Sequence, residues 1–253
     1  MQLRVPVSDG DVWAEDCPGD NPPAVLLHPG WGDSDIWKPV MQRLRRRVRT
    51  IRYDVRGYGR SPSPSVPFTQ LGDLRAVLDH LAVPPAVVVG HSGGGGTAIS
   101  LALAEPSRVR ALVLLAPGLA DYPWPEEDPY FVQFAALLSA GDREGIMRLG
   151  LQTWAPAGHH PDVEAQVSSA TTAFFAEGDL LRPDPPALNR LEHIDVPSVV
   201  VTAELDHPMV TACAHTIATR ITGCQEIAAA GSDHMLPLRV PDLIAGLILQ
   251  HKP

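Results

Sequence analysis

The segment Gly90-His91-Ser92-Gly93-Gly94 carries residue types and spacing suited to nucleophilic chemistry. In the pattern G-x-S-x-G, a strand turns abruptly into a helix and pushes the central serine out beyond the sheet edge. The flanking positions must be small because strand and helix nearly touch there. The context fits: Val87-Val88-Val89 precede the motif, and Thr97 to Leu103 follow it as an apolar helical run. Ser92 is therefore the expected nucleophile, with helix N-terminal N–H groups aimed at the same spot. The plainer reading is a glycine-rich turn without a chemical role. Gly95 and Gly96 each cost about 1 kcal/mol of helix stability relative to alanine, and a close-packed neighbour is the simplest reason for them.

A serine hydroxyl needs a base, and the base needs orienting. Ten histidines compete. His28 ends an early strand, His91 is inside the turn and is expected to point away from the nucleophile, and His159-His160 lie in a strand-poor stretch. His80, His193, His215 and His251 lie in or beside helices. His234, in Ala230-Gly231-Ser232-Asp233-His234-Met235, follows the last strand signal and is placed at the carboxyl edge of a sheet, where ligands bind in open α/β folds. The acid is expected to leave the strand before it, which points to Asp206 after Val200-Val201-Thr202, with Glu204 and Asp233 as alternatives. The oxyanion hole needs two fixed N–H donors. Gly93 supplies one. The other must come from His28-Pro29-Gly30-Trp31-Gly32, and since Pro29 has no N–H, either Gly30 or Trp31 serves.

These residues need elements to hold them. Leu3–Val7 and Asp11–Glu15 read as a hairpin turned at Ser8-Asp9-Gly10. Buried strands are predicted at 24–28, 48–55, 86–89, 109–116, 196–201 and 225–229, with helices near 35–46, 69–81, 93–104, 210–221 and 240–251. Alternating strands and helices mean a mostly parallel sheet covered on both faces. Between residues 119 and 193 the rhythm stops, and aromatics, prolines and short amphipathic pieces replace it. The expectation is a core built from 1–118 and 194–253, with 119–193 inserted above the sheet.

A net charge of −9 repels a phosphate backbone, so no nucleic-acid partner is expected. The run Arg43, Arg45, Arg46, Arg47, Arg49 reads as a solvated face. Met1–Gly10 lacks the apolar core of a signal peptide, and no run approaches 18 apolar residues. The expectation is a cytoplasmic protein without membrane contact, a monomer or homodimer. No metal is expected, because His159 and His160 are adjacent rather than at ligand spacing. No phosphate loop is expected either, since no Lys follows the Gly93–Gly96 run. Cys17, Cys213 and Cys224 are too few and scattered for a disulfide framework.

Taken together, the His28–Gly32 loop, Asp54-Val55-Arg56-Gly57-Tyr58-Gly59-Arg60-Ser61, the Gly90–Gly94 turn and the Asp206 and His234 strand ends resemble the α/β-hydrolase fold superfamily, in its small esterase, lactonase and perhydrolase branch. The resemblance covers nearly the whole chain. It implies an α/β-hydrolase fold: an eight-stranded, mostly parallel sheet flanked by helices, with a helical lid after strand six. It also implies a structural role for Asp54–Ser61. Proline at 29, where the family more often has glycine, leaves the second oxyanion donor open. A serine in the turn, rather than the aspartate of epoxide- and halide-processing relatives, implies an acyl-serine route. On that basis the expected activity is hydrolysis of a small carboxylic ester or lactone with an apolar acyl or aromatic group, without a cofactor. Thioester hydrolysis, acyl transfer, perhydrolysis, C–C hydrolysis and slow or non-catalytic ligand sensing remain alternatives. Trp31, Trp124, Phe131, Phe134 and Trp154 are the candidate pocket residues.

Overall fold

The chain is described by a computed structural model covering residues 1–177 and 180–251. Its centre is one sheet of eight strands, in the order β1-β2-β4-β3-β5-β6-β7-β8. The strands are β1 (Gln2–Val7), β2 (Gly10–Cys17), β3 (Ala24–Leu27), β4 (Thr50–Tyr53), β5 (Ala86–His91), β6 (Val109–Leu115), β7 (Ser198–Ala203) and β8 (Gln225–Ala229). β1 and β2 form the hairpin, β2 runs antiparallel to β4, and every other pairing is parallel.

The unalternating valine and leucine runs have a direct cause. In β3, β5 and β7 every residue is buried, because helices cover both faces of a parallel sheet. One layer of core packs α2 (Gln70–His80), α3 (Gly93–Ala104) and α7 (Pro208–Arg220) on one face. On the other lie α1 (Lys38–Leu44), α8 (Leu236–Arg239) and α9 (Pro241–Gln250). Three helices fill the stretch between β6 and β7: α4 (Pro129–Ala140), α5 (Arg143–Trp154) and α6 (Pro161–Glu177).

One expected helix divides at proline. The 35–46 helix is a 3-10 turn, Ser34–Trp37, followed by α1, with Pro39 in the first turn of α1. Proline lacks the N–H to continue an earlier helix but fits a first turn. The terminal helix, expected over 240–251, is α9, and the separate short α8 ends ahead of it at Val240. In the arginine run, Arg45, Arg46 and Arg47 are exposed. Arg43 pairs with Asp242, and Arg49 with Asp16 at 2.7 Å.

Asp54 is fully buried just beyond β4. It accepts from the N–H of Ser34 and of Arg60, both at 2.9 Å, and its carbonyl accepts from Ser61 Oγ at 2.6 Å. Asp54–Ser61 thereby ties the β4 loop to the 3-10 turn. Arg56 is buried at the far side of that loop. It donates twice to Asp73, at 2.5 and 2.8 Å, and also to Asp9 and Ser8, with its guanidinium over the Phe68 ring.

Candidate active site

Ser92 sits between β5 and α3 with φ 54° and ψ −119°. Positive φ strains a residue with a Cβ, typically by about 1–3 kcal/mol, so the surroundings must hold it. Its N–H donates to the Leu115 carbonyl on β6 at 2.9 Å. Its carbonyl accepts from Gly95 and Gly118 at 2.9 and 3.0 Å. The four neighbouring glycines are required by contact. A Cβ on Gly94 would lie 2.6 Å from the Leu27 carbonyl oxygen, and one on Gly90 would run into the Gly94 backbone. Gly95 abuts Pro117, and Gly96 abuts the Gly118 carbonyl.

The loop after β8 brings His234 to the same carboxyl edge, where Ser92 and His234 line one cavity. His234 Nδ1 donates to Asp206 Oδ2 at 2.8 Å, and both side chains are only 1% exposed. The other Asp206 oxygen accepts from the His207 N–H at 2.7 Å. The alternative acids are engaged elsewhere. Glu204 accepts from Gly231 N–H, and Asp233 holds Arg239 and the N–H of Met235.

His91 is not remote from this pair. Its ring lies 4.9 Å from the His234 ring, edge-on to Trp37, fully buried, and neither nitrogen makes a hydrogen bond of normal geometry. Burial, then the neighbouring His234, pushes its pKa well below the ordinary histidine value of 6.5. An unfolded chain binds a proton here below that value and the folded chain does not. Stability is therefore kept above pH 6.5 and lost as pH falls. The loss through this group therefore grows between pH 7 and pH 5. Denaturation of wild type and His91→Phe at pH 7 and 5 measures it, and the variant should show the smaller drop. Equal drops would contradict the assignment.

The loop after β3 reaches the cavity through Trp31. Val55 N–H donates to His28 Nε2 at 3.0 Å, so the ring proton is on Nδ1, which donates to the Pro29 carbonyl at 2.8 Å. Fixing that carbonyl turns the Gly30 N–H of the same peptide plane to the opposite side. The N–H groups of Gly30 and Trp31 make no intrachain hydrogen bond among the described residues, and Gly93 begins α3, where N–H groups lack helical partners. The loop is clamped from α6: Asp33 N–H donates to Gln166, whose amide returns a bond to the Asp33 carboxylate, and Ser169 Oγ donates to it at 2.6 Å. From α4, Tyr130 Oη accepts the indole N–H of Trp31 at 2.9 Å and that of Trp154 at 3.3 Å. The Trp154 ring in turn lies 4.7 Å from His234.

The cavity is partly open to solvent and measures about 400 Å³. Ser92, Gly93 and His234 line it, together with Trp31, Trp124, Phe131 and Trp154. Phe134 does not line it. It packs edge-on to Phe174 and Trp31 behind the wall.

A family model described as the alpha/beta hydrolase fold matches residues 23–252. The chain belongs to this family. Among curated relatives, it is 34% identical to the pimeloyl-[acyl-carrier protein] methyl ester esterase of Cronobacter sakazakii over 149 residues, 56% of each chain. It is 39% identical to the sn-1-specific diacylglycerol lipase ABHD11 of Danio rerio over 111 residues, 41% of this chain and 34% of that one. The chain spans less than half the length of the first curated relatives it matches. Among solved structures, Est816, described as an N-acyl homoserine lactone degrading enzyme, is 26% identical with a TM-score of 0.70 over 98% of this chain and 99% of that one.

Within this α/β-hydrolase frame the cavity has a polar end that sequence reasoning did not find. Gln70, Thr97, Asp121 and Asp184 line it. Thr97 Oγ1 donates to Gln70 at 2.9 Å, and Asp184 accepts from Leu71 N–H at 3.0 Å. Burial raises the Asp184 pKa. None of these residues stands in a motif. Tyr130 was one of eight aromatics between 119 and 193 with nothing local to single it out.

Proposed function

We propose that this α/β hydrolase is a serine esterase or lactonase acting on a small, uncharged carboxylic ester with an apolar acyl or aromatic group. The observation that carries this reading is Ser92, held at positive φ on the cavity wall it shares with His234, while His234 Nδ1 is bound to a buried carboxylate. In this reading Ser92 Oγ attacks the acyl carbon and its proton passes to His234 Nε2. Asp206 keeps the imidazole tautomer and steadies the imidazolium. The negative oxygen is met by the N–H of Gly93 and that of Gly30 or Trp31. His234 then protonates the departing alcohol, and water reverses the sequence to free Ser92.

Residues 119–193 act as the lid, contributing Trp124, Phe131 and Trp154 to the apolar wall. Asp121 and Asp184 line the cavity with a single cation, Arg182, so the lining offers no net positive charge to an anionic acyl chain. The relatives' names, a methyl ester esterase and a lactone-degrading enzyme, favour ester bonds. No cofactor enters the chemistry.

The test pairs turnover with labelling. Purified protein is expected to release p-nitrophenol from acetate to octanoate esters, and a fluorophosphonate probe should attach to Ser92, located by peptide mass. Attachment at another residue, or ester turnover that persists after Ser92 is fully labelled, would refute the reading.

A further inference from the structure

The Tyr130 hydroxyl has a hydrogen-bond inventory that leaves one position over. A phenol oxygen accepts at most two hydrogen bonds and donates one. Both acceptor positions are filled, by Trp31 Nε1 at 2.9 Å and Trp154 Nε1 at 3.3 Å, and indole nitrogens only donate. No acceptor for the Tyr130 proton is found among the described residues. The residue is 8% exposed, and it lines the cavity together with Ser92 and His234. The neighbouring rings place it beside the site: Tyr130 is edge-on to Trp154 at 4.9 Å, and Trp154 lies tilted 4.7 Å from His234. A buried donor left unpaired is costly, and the cavity is where its partner must come from. Burial raises the phenol pKa to about 12, so the proton is retained at every working pH.

We infer that Tyr130 is a specificity-determining residue whose O–H donates to an oxygen of the bound substrate other than the scissile carbonyl oxygen. The cavity would then favour acyl groups or lactones that carry a further ether or carbonyl oxygen over plain hydrocarbon chains. The inference rests on the serine esterase reading and adds a substrate feature to it. The energetic argument is the usual asymmetry of buried polar groups: a site built to donate rejects a ligand that cannot accept.

The experiment compares isosteric pairs in which one methylene becomes oxygen: p-nitrophenyl butanoate against methoxyacetate, and pentanoate against 3-methoxypropanoate. The readout is the ratio of kcat/KM within each pair, in wild type and in Tyr130→Phe. Intrinsic reactivity cancels between the two proteins, and so does any general loosening of Trp31 and Trp154. In at least one pair, Tyr130→Phe should cut the preference for the oxygen-bearing member about 3- to 10-fold. Ratios within twofold of wild type in both pairs overturn the inference. If Tyr130→Phe does not fold, Tyr130→3-fluorotyrosine decides. It keeps the oxygen that holds both indoles but strengthens the donor, so the preference should rise, and an unchanged preference overturns the inference. Ser92→Ala in the same assay separates the two claims. Turnover that depends on Ser92 with an unmoved ratio leaves the esterase reading standing and removes only the role of Tyr130.

Discussion

Ser92→Ala is expected to lower kcat for p-nitrophenyl butanoate by about 10⁴- to 10⁶-fold, with KM changing little. The magnitude follows from the proposed sequence of events. Without the hydroxyl no acyl-enzyme forms, and the remaining rate comes from water attacking an ester held by the Gly93 and Gly30 or Trp31 N–H groups. His234→Ala should cost about as much, because the alcohol is then nucleophilic only in its rare ionised form. Combining the two should add almost nothing, since both remove the same event. Asp206→Asn should lower kcat about 10⁴-fold with the fold intact. An amide nitrogen placed 2.8 Å from His234 Nδ1 would compete with the ring proton there and favour the tautomer that cannot take the proton from Ser92. Steady-state kinetics on the four proteins checks all of this. Losses that multiply in the double variant would show Ser92 and His234 acting independently, contrary to the mechanism.

Arg56→Met should destabilise the fold by about 3–5 kcal/mol while sparing the chemistry of whatever protein remains folded. The Arg56, Asp9 and Asp73 side chains are 4%, 7% and 3% exposed. Burial already raises the Asp73 carboxyl pKa even with the guanidinium against it, so that contact offsets only part of a large desolvation cost. Removing the cation leaves two buried carboxylates facing each other. Urea denaturation followed by tryptophan fluorescence would read the change in midpoint at constant slope. A loss under 1 kcal/mol would mean that the loop relaxes to let water in. Adding Asp73→Leu to Arg56→Met should restore part of the loss, because the stranded charge goes with it.

Much of the fold was readable because its signals are local. Val87-Val88-Val89 announces a strand buried on two faces, and β5 is buried throughout. The glycines around Ser92 record contacts within one strand-turn-helix unit and its immediate neighbours. Asp206 and His234 could be singled out because each lies in the loop that leaves a strand, β7 and β8, and the parallel sheet aligns those ends. What stayed hidden depends on partners far apart in the chain. Asp33 meets Gln166 across 133 positions, and the meeting of Trp31, Tyr130 and Trp154 exists only once α4 and α5 have docked. Phe134 was expected in the pocket wall as one of the insertion's aromatics that would roof an apolar pocket. Its actual direction is fixed by Phe174 on α6 and by Trp31. The division of the 35–46 helix was visible in Pro39, yet the start of α1 also depends on Asp33 capping the preceding turn.

The bonds from Gln166 and Ser169 to Asp33, and from Tyr130 to Trp31, bear on how such a chain can diverge or be re-engineered. The helices over the cavity and the loop after β3 are separate in sequence but mechanically one piece. A chimera that imports only residues 119–193 from a relative would strand the Asp33 carboxylate and the Trp31 indole, and would distort the loop proposed to hold the tetrahedral oxygen. New substrate range and lost turnover would then arrive together. Transferring 28–37 along with the helices keeps the joint whole, so the two stretches form the smallest exchangeable unit of this scaffold.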